Sequence, residues 1–378
     1  MNERAANERA ALERARQESA LHYPLGPTLP APGSVVDVAP GVRWLRMALP
    51  FALDHINLWL LRDRLDNRDG WTVVDCGIDN ADTRARWQQV FDTALQGLPV
   101  LRVICTHMHP DHIGLAHWLC KRWGTAAHDC RLWISSTDWH AARVACHADT
   151  AFSGEGAAHF FARHGLLDEA ALQQVRARTN YYGSLVPQVP RQYRRLLGGM
   201  VLPIGGQAWH CISGYGHAPE HIALHAPGLK VLIAGDMVLP RISTNVSVID
   251  MEPEGDPLPL YLESIAQMLP LPADTLVLPS HGKPFVGLHT RIAQLQAHHD
   301  ERFADVLQAC AVRPCSAADL LPVLFKRMLD LHQTTFAMGE AVAHVHALLG
   351  RGQLRAASRH DGVDDGVLRF SSVSASTG

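Results

Sequence analysis

Residues 106–114 read THMHPDHIG and follow directly on the apolar run LPVLRVIC at 98–105. The run is short, rich in aliphatic residues and carries Arg102 as its one charge, which predicts a buried strand. The chain therefore leaves a core strand and presents His107, His109, Asp111 and His112 within six positions. On a loop leaving a strand, the imidazoles of His107 and His109 can face one point, and Asp111 and His112 a second point beside it. Four ligand-type side chains at one strand end serve no structural purpose as well as they serve metal binding. Pro110 stiffens the turn between the pairs, and Gly114 lets the chain close onto the next helix.

Three more ligand candidates each sit just past an apolar strand: His217 in SGYGHAPEH, Asp236 in VLIAGD and His281 in LVLPSHG. With the first four they make five histidines and two aspartates, enough for two metals with three terminal ligands each and one bridging carboxylate. His221, four residues after His217, reads equally well as a residue orienting the ligands and as the polar start of the strand HIALHAP. His55 and Asn57 in LDHINLWLL read the same two ways.

The order HxHxDH, then GH, then a strand ending GD, then a strand ending SHG resembles the metallo-β-lactamase-fold metallo-hydrolase superfamily. TVVDCG with Asp75 matches that superfamily's early Asp-Gly motif, and the pattern spans about residues 36–285. The resemblance implies that His107, His109 and His217 hold a first metal, that Asp111, His112 and His281 hold a second, and that Asp236 bridges them. It also implies that Asp75 orients ligands without binding metal. The expected cofactors are two divalent ions, with zinc the first choice for an imidazole-rich N/O site; iron and manganese suit the same donors. The fold expected is an α/β four-layer αβ/βα sandwich, and strand blocks alternating with helices in two rounds point the same way.

Along the chain, residues 1–35 read as a charged helical arm followed by the Pro/Gly linker YPLGPTLPAPGS. A catalytic domain spans 36–300, with an irregular helical insert at 135–200. Within the insert, Tyr181, Tyr182, Arg191, Arg194 and Arg195 are candidates for contacting an anionic substrate, set against the simpler reading of a solvated Arg-rich helix. Residues 301–370 give helix, helix and two strands, the outline of a small winged-helix-like module, before a disordered tail at 371–378. GEAVAHVHALLGRGQL resembles the winged-helix domain that follows this fold in the subgroup with lactamase-β-like endoribonucleases and, by its hydrolase domain, glyoxalase-II-like relatives.

Charge and composition narrow the function. Net charge is −3 and sequence pI about 6.8, so no global field favours nucleic acid or an anionic membrane. The N-terminal stretch has no apolar signal core and carries Glu3, Glu8, Glu13 and Glu18, and no 18-residue apolar run follows it. The eight cysteines show no CxxC spacing, which predicts reduced thiols and a cytoplasmic protein. In the superfamily, a hydroxide shared by two metals is the expected nucleophile, with Asp111 holding or receiving its proton.

A zinc-cysteine lactamase would need Cys at Asp236, and a flavodiiron reductase Glu at His109. Only 44 residues separate Asp236 from His281, too few for the domain that cleavage-factor nucleases insert there. Two readings remain. One is a hydrolase of a small-molecule ester, thioester or lactone; the other is a metal-dependent endoribonuclease or phosphodiesterase whose winged helix contacts nucleic acid. MGEAVAHVHALLGRG is apolar where a recognition helix should be basic, which favours the small molecule. The C-terminal module is then a packing, homodimer or substrate-pocket element.

Overall fold

The computed structural model describes residues 18–126, 128–148, 152–357 and 366–373. Seven strands build a first sheet in sequence order: β1 (Val36–Ala39), β2 (Val42–Ala48), β3 (His55–Leu65), β4 (Arg68–Val74), β5 (Val100–Ile104), β6 (Arg131–Ser135) and β7 (Tyr193–Leu196). Strands β1 to β4 pair antiparallel, and β4 to β7 pair parallel. Helices α1 (Ala81–Thr93), α2 (Pro110–Ile113), α3 (Ala116–Trp123), α4 (Ser136–Ala145), α5 (Gly154–Arg163), α6 (Glu169–Ala177) and α7 (Tyr181–Leu185) lie between these strands in sequence.

A second sheet follows, from β8 (Val201–Ile204), β9 (Gln207–Gly214), β10 (His221–Ala226), β11 (Val231–Gly235), β12 (Leu276–Pro279) and β13 (Phe285–Val286), arranged β13-β12-β11-β10-β9-β8. Helix α8 (Pro257–Ala266) connects β11 to β12, which pair parallel. The chain ends with α9 (Leu288–Val312), α10 (Ala317–Leu324), α11 (Leu331–Gly350) and an antiparallel pair, β14 (Leu354–Ala356) with β15 (Phe370–Ser372).

The strands carry two apolar faces because both sides are covered. Trp44, Trp59, Val74 and Ile104 of the first sheet meet Trp209, Ile222, Leu224 and Ile233 of the second in a core between the sheets. The opposite residues of the first sheet, among them Leu45, Leu58 and Val73, pack on Trp87, Val90 and Leu119 of α1 and α3. The other face of the second sheet, with Ala223, Leu232 and Val277, packs on Tyr261 and Ile265 of α8 and Leu295 of α9. The layers therefore run helix, sheet, sheet, helix: the αβ/βα sandwich expected from the alternation of segments.

Two local expectations change. Residues 193–196, read as part of an Arg-rich helix, form the edge strand β7, where Arg194 and Arg195 lie between Tyr193 and Leu196. Leu196 is buried in the core between the sheets, and that one apolar anchor sets the strand. The expected disordered tail begins too early, because β15 runs to Ser372 and pairs with Leu354–Ala356. The expected N-terminal helix falls mostly outside the described residues, as do the turn of the C-terminal hairpin and residues 374–378. Leu21 is buried, and His22 exchanges two backbone hydrogen bonds with Val286, so the described end of the arm adds to the edge of the second sheet. No helix among the described residues is long and apolar enough to cross a membrane.

Candidate metal centre

The candidate metal-ligand side chains all emerge where strands end, at one edge of the sandwich. His107 to His112 follow β5, His217 lies in the β9–β10 turn, Asp236 follows β11 and His281 follows β12. The two sheets are tied together at this edge by backbone bonds from Ile222 N to Thr106 O, 2.8 Å, and from Asn57 N to Ser280 O, 2.7 Å. Open α/β sheets place ligand sites outside the carboxyl ends of strands, because helix starts and loop ends converge there.

Two adjoining clusters result. In one, His107, His109, His217 and Asp236 bring one donor atom each to within 4.8 Å of one another; in the other, Asp111, His112 and His281 do the same. The His107 Nε2 lies 2.9 Å from His109 Nδ1 and 3.3 Å from His217 Nε2, and His109 Nδ1 is 3.1 Å from His217 Nε2. Nitrogens about 2.1 Å from a tetrahedral ion sit roughly 3.4 Å apart, so the spacing suits a metal. Asp236 stands between the clusters: Oδ2 is 3.2 Å from His217 Nε2 and 3.5 Å from His112 Nε2, while Oδ1 is 3.4 Å from His281 Nε2. Asp111 Oδ2 lies 3.6 Å from His112 Nε2 and 3.5 Å from His281 Nε2.

Divalent ions fit this donor set. His112 Nε2 and Asp236 Oδ1 are buried with no hydrogen-bond partner, although both are strongly polar. A buried polar atom left unpaired is costly, and a metal would satisfy both atoms.

Each inward nitrogen is set by what holds the opposite side of its ring. His217 Nδ1 donates to the Asn245 carbonyl at 2.7 Å, and His281 Nδ1 to the His55 carbonyl at 2.7 Å. His112 Nδ1 donates to Asp75 Oδ2 at 2.9 Å. Asp75 sits at φ 60°, a left-handed conformation that Asp tolerates better than most residues, and also accepts from the Thr106 amide at 2.8 Å. The Thr106 hydroxyl is 2.9 Å from Asp75 Oδ2 and 3.0 Å from His107 Nδ1, which orients the ring that Asp75 does not reach. A metal-bound imidazole held this way keeps its tautomer and gains basicity.

His221 lies beneath the centre. It is fully buried, with its ring centroid 5.2 Å from that of His107, and the Asp236 amide donates to its Nε2 at 3.3 Å. Burial first, and then the neighbouring His217, pushes its pKa down to about 3, so it is neutral. Gly235, at φ +55°, passes over this ring, where a Cβ would lie 2.0 Å from Nε2. Only glycine fits there, which gives a physical reason for the Gly in GD.

The electrostatics separate the two clusters. Burial and neighbouring imidazoles hold His107 and His109 well below the usual imidazole range. Burial opposes charge on His112 as well, but the carboxylates of Asp111, Asp75 and Asp236 outweigh it and raise its pKa well above normal. His281 is raised in the same way by Asp236 and Asp111. Burial of the Asp236 carboxylate is likewise outweighed by His281 and His112, which lower its pKa well below the usual carboxylate range.

The remaining candidates divide. His55 and Asn57 brace the His281 loop: His55 Nε2 accepts from the Gly282 amide at 2.9 Å, and Asn57 Nδ2 donates to Pro279 O at 2.8 Å. Tyr182 donates to the Met108 carbonyl between two ligands. Arg194 stacks over Trp133 at 4.6 Å, and Arg195 reaches Ser136 Oγ at 3.3 Å, so both are engaged by the first sheet and α4. Arg191 is exposed and adjoins no ligand. Sequence reasoning missed Thr106, Asn245 and Asp138. Asp138 accepts from the Met108 amide at 2.8 Å and the Glu220 amide at 2.6 Å, joining the two ligand loops. The one local signal was Thr106, directly before HxH; Asn245 acts through a backbone carbonyl that no motif marks.

Known proteins share this fold. The profile of the metallo-beta-lactamase superfamily matches residues 52–281, and that of the metallo-beta-lactamase-like C-terminal domain matches 303–373. A beta-lactamase domain protein of Burkholderia ambifaria is 53% identical, with a TM-score of 0.88 over 95% of this chain and 100% of its own. The probable metallo-hydrolase YqjP of Bacillus subtilis (strain 168) is 23% identical over 319 residues, 80% of this chain and 91% of that one. A metallo-beta-lactamase family protein of Thermus thermophilus shares the fold at 23% identity, with a TM-score of 0.67 over 88% of this chain and 99% of its own. With that superfamily's profile covering residues 52–281, and within them all seven converging donors, the last of them, His281, at its boundary, the chain belongs to the metallo-β-lactamase superfamily.

Proposed function

We propose that the protein is a cytoplasmic dinuclear metal-dependent hydrolase of a small-molecule ester, thioester or lactone. His107, His109 and His217 would hold the first ion, Asp111, His112 and His281 the second, and Asp236 would serve both. The observation that carries this reading is Asp236 itself, whose two oxygens face donors of different clusters at 3.2 and 3.4 Å. Zinc suits this imidazole-rich set best, and iron and manganese are the alternatives to assay. When bound, such ions lower the pKa of coordinated water and polarise the oxygen of the group being cleaved.

The chain's own groups supply the rest. Asp111 is more exposed than Asp236 or His281, which puts its carboxylate on the substrate side of the centre. There it is placed to hold the attacking water by one proton, to take that proton as the new acyl C–O bond forms, and to return it to the leaving oxygen or sulfur as the acyl C–O or C–S bond breaks. Asp75, Thr106, Asn245 and the His55 carbonyl keep the rings aimed, so little reorganisation is needed during reaction. A small-molecule substrate is favoured over nucleic acid by α11, which buries Thr335, Met338, Val342, Val345 and Leu348 in the core. A helix so committed to packing presents no basic face to a groove.

The test is metal analysis of the purified protein with a panel of thioesters, esters, lactones, phosphodiesters and short RNA. About two equivalents of metal and turnover of a carbonyl substrate are expected, with both lost in Asp236→Ala. A metal-free protein, or an Asp236→Ala variant with unchanged metal and turnover, overturns the dinuclear reading. Selective, salt-sensitive cleavage of RNA would replace the substrate class.

A further inference from the structure

One face of helix α11 packs against segments that orient the candidate metal ligands. His332, Phe336 and Glu340 follow at intervals of four, so they share one side of the helix. All three are partly exposed, whereas Thr335, Ala337, Met338 and Ala341 around them are buried.

The His332 ring stacks on Phe51 at 5.8 Å and 14°, and lies 6.1 Å from Tyr181. Phe336 is 5.0 Å from His332 and 4.3 Å from Phe152. Phe51 stands four residues before His55, whose carbonyl holds His281. Tyr181 adjoins Tyr182, whose hydroxyl holds the Met108 carbonyl between His107 and His109. At the far end of the face, Asn245 Nδ2 donates to Glu340 Oε2 at 3.4 Å, and the Asn245 carbonyl holds His217. The loop carrying Asn245 is fixed to the same helix by Val248 N to Gly339 O, 3.1 Å, and Ser247 Oγ to Phe336 O, 3.5 Å. One helix face therefore borders segments that orient ligands of both clusters, and most of what it shows there is aromatic.

We propose that this face of α11 is the specificity wall of the reaction site, and that it receives a flat, apolar part of the substrate, an aryl group, against His332 and Phe336. The assignment rests on the hydrolase reading above and adds the substrate's recognition element to it. Aromatic faces favour planar apolar partners, and the His332 and Phe336 rings lie in a row and are partly exposed. Glu340, whose carboxyl burial pushes up to about 7, closes the row with a group able to donate or accept a hydrogen bond near neutrality.

The experiment compares ester pairs that differ only by phenyl in place of methyl, on the acyl or the leaving-group side, in metal-loaded full-length protein. Calorimetry of phenylacetate and acetate binding runs in parallel and needs no turnover. A phenyl preference of about tenfold or more in kcat/KM and in affinity is expected. Phe336→Leu, which keeps an apolar side chain in place, and His332→Asn should each erase most of that ratio while metal content stays at the wild-type level. Equal binding of phenylacetate and acetate overturns the wall, as does a phenyl preference that survives both substitutions. Loss of turnover on every ester with phenylacetate still preferred overturns the hydrolase reading and leaves the wall standing.

Discussion

At the scale of the residue, the side chains that gather into the two clusters were legible and the groups that hold them were not. His107, His109, Asp111 and His112 declare themselves by spacing alone, because few other roles require such side chains at one strand end. Asp75 was legible only through a family motif, and its contacts explain the motif: it binds Thr106 twice over and fixes His112 through Nδ1. Asp75→Asn keeps the left-handed backbone but turns a pure acceptor into a group that is half donor. Metal affinity is expected to fall about 10- to 100-fold, as for other partners that orient metal-bound histidines. Competition with a chromophoric chelator measures it, and an affinity within about twofold of wild type would show that Asp75 does not set the ring. Thr106 and Asn245 escaped sequence reasoning for a physical reason: a hydroxyl or a main-chain carbonyl becomes a ligand support only once the fold brings a ring against it. Arg102 escaped in another way. It reads as a blemish in an apolar strand, yet its guanidinium is buried against Asp63 at 2.8 Å, with Thr72 at 2.9 Å and the Pro203 carbonyl at 2.9 Å. Arg102→Ala should cost about 3–5 kcal/mol, since it leaves the Asp63 charge buried and unpaired, whereas Asp63→Asn with Arg102→Met should recover much of that loss in denaturant melts.

At the scale of the element, some helix starts are marked by capping residues. Ser316 and Asp319 form a capping box at the start of α10. Strand β7 did not announce itself, because an edge strand needs only one buried side chain and its arginines resemble a solvated helix. The α9–α11 seam holds a further device. His344 Nδ1 donates to the Glu340 carbonyl at 2.8 Å, which leaves its Nε2 to accept from His299 Nδ1 at 3.2 Å. Both rings are buried and neutral: burial, with the partner ring adding, takes His299 down to about 2, and burial takes His344 down to about 4. A folded-state pKa below the unfolded value near 6.5 means that the unfolded chain binds more protons. The stability these groups confer is complete above pH 6.5 and is lost as the pH falls toward 4. For His344 alone that loss is on the order of 2–3 kcal/mol. Thermal melts of the wild type at pH 7.5 and 5.0 should therefore differ by more than those of His344→Gln. Equal differences would remove the seam from the protein's acid sensitivity.

At the scale of the whole molecule, the alternation of strands and helices disclosed the sandwich, since a chain with two rounds of apolar strands must cover both sides of both sheets. The partners of the insert were hidden. Helices α5 and α6 share a core with α8 to α11, joined by bonds such as Ala318 N to His164 O at 3.0 Å, so insert and C-terminal module pack as one body. The metal centre has a mechanical consequence on this scale. His107, His109, Asp111 and His112 hang from the first sheet, while His217, Asp236 and His281 hang from the second. Bound ions would therefore add to the direct bonds that already join the two halves of the sandwich at this edge. The gain is a whole-molecule quantity, because pulling the sheets apart must first release the ions. At free zinc a thousandfold above the dissociation constant, the native state should gain about 4 kcal/mol per site. Stripping the metal should lower the thermal midpoint by several degrees without splitting the transition, and zinc should restore it. Asp236→Ala cuts the one side chain that faces both clusters, so most of that increment should disappear in it. If zinc raises the midpoint of Asp236→Ala as far as that of the wild type, the ions do not act as a joint between the sheets, and the stability of the sandwich resides in its apolar core alone.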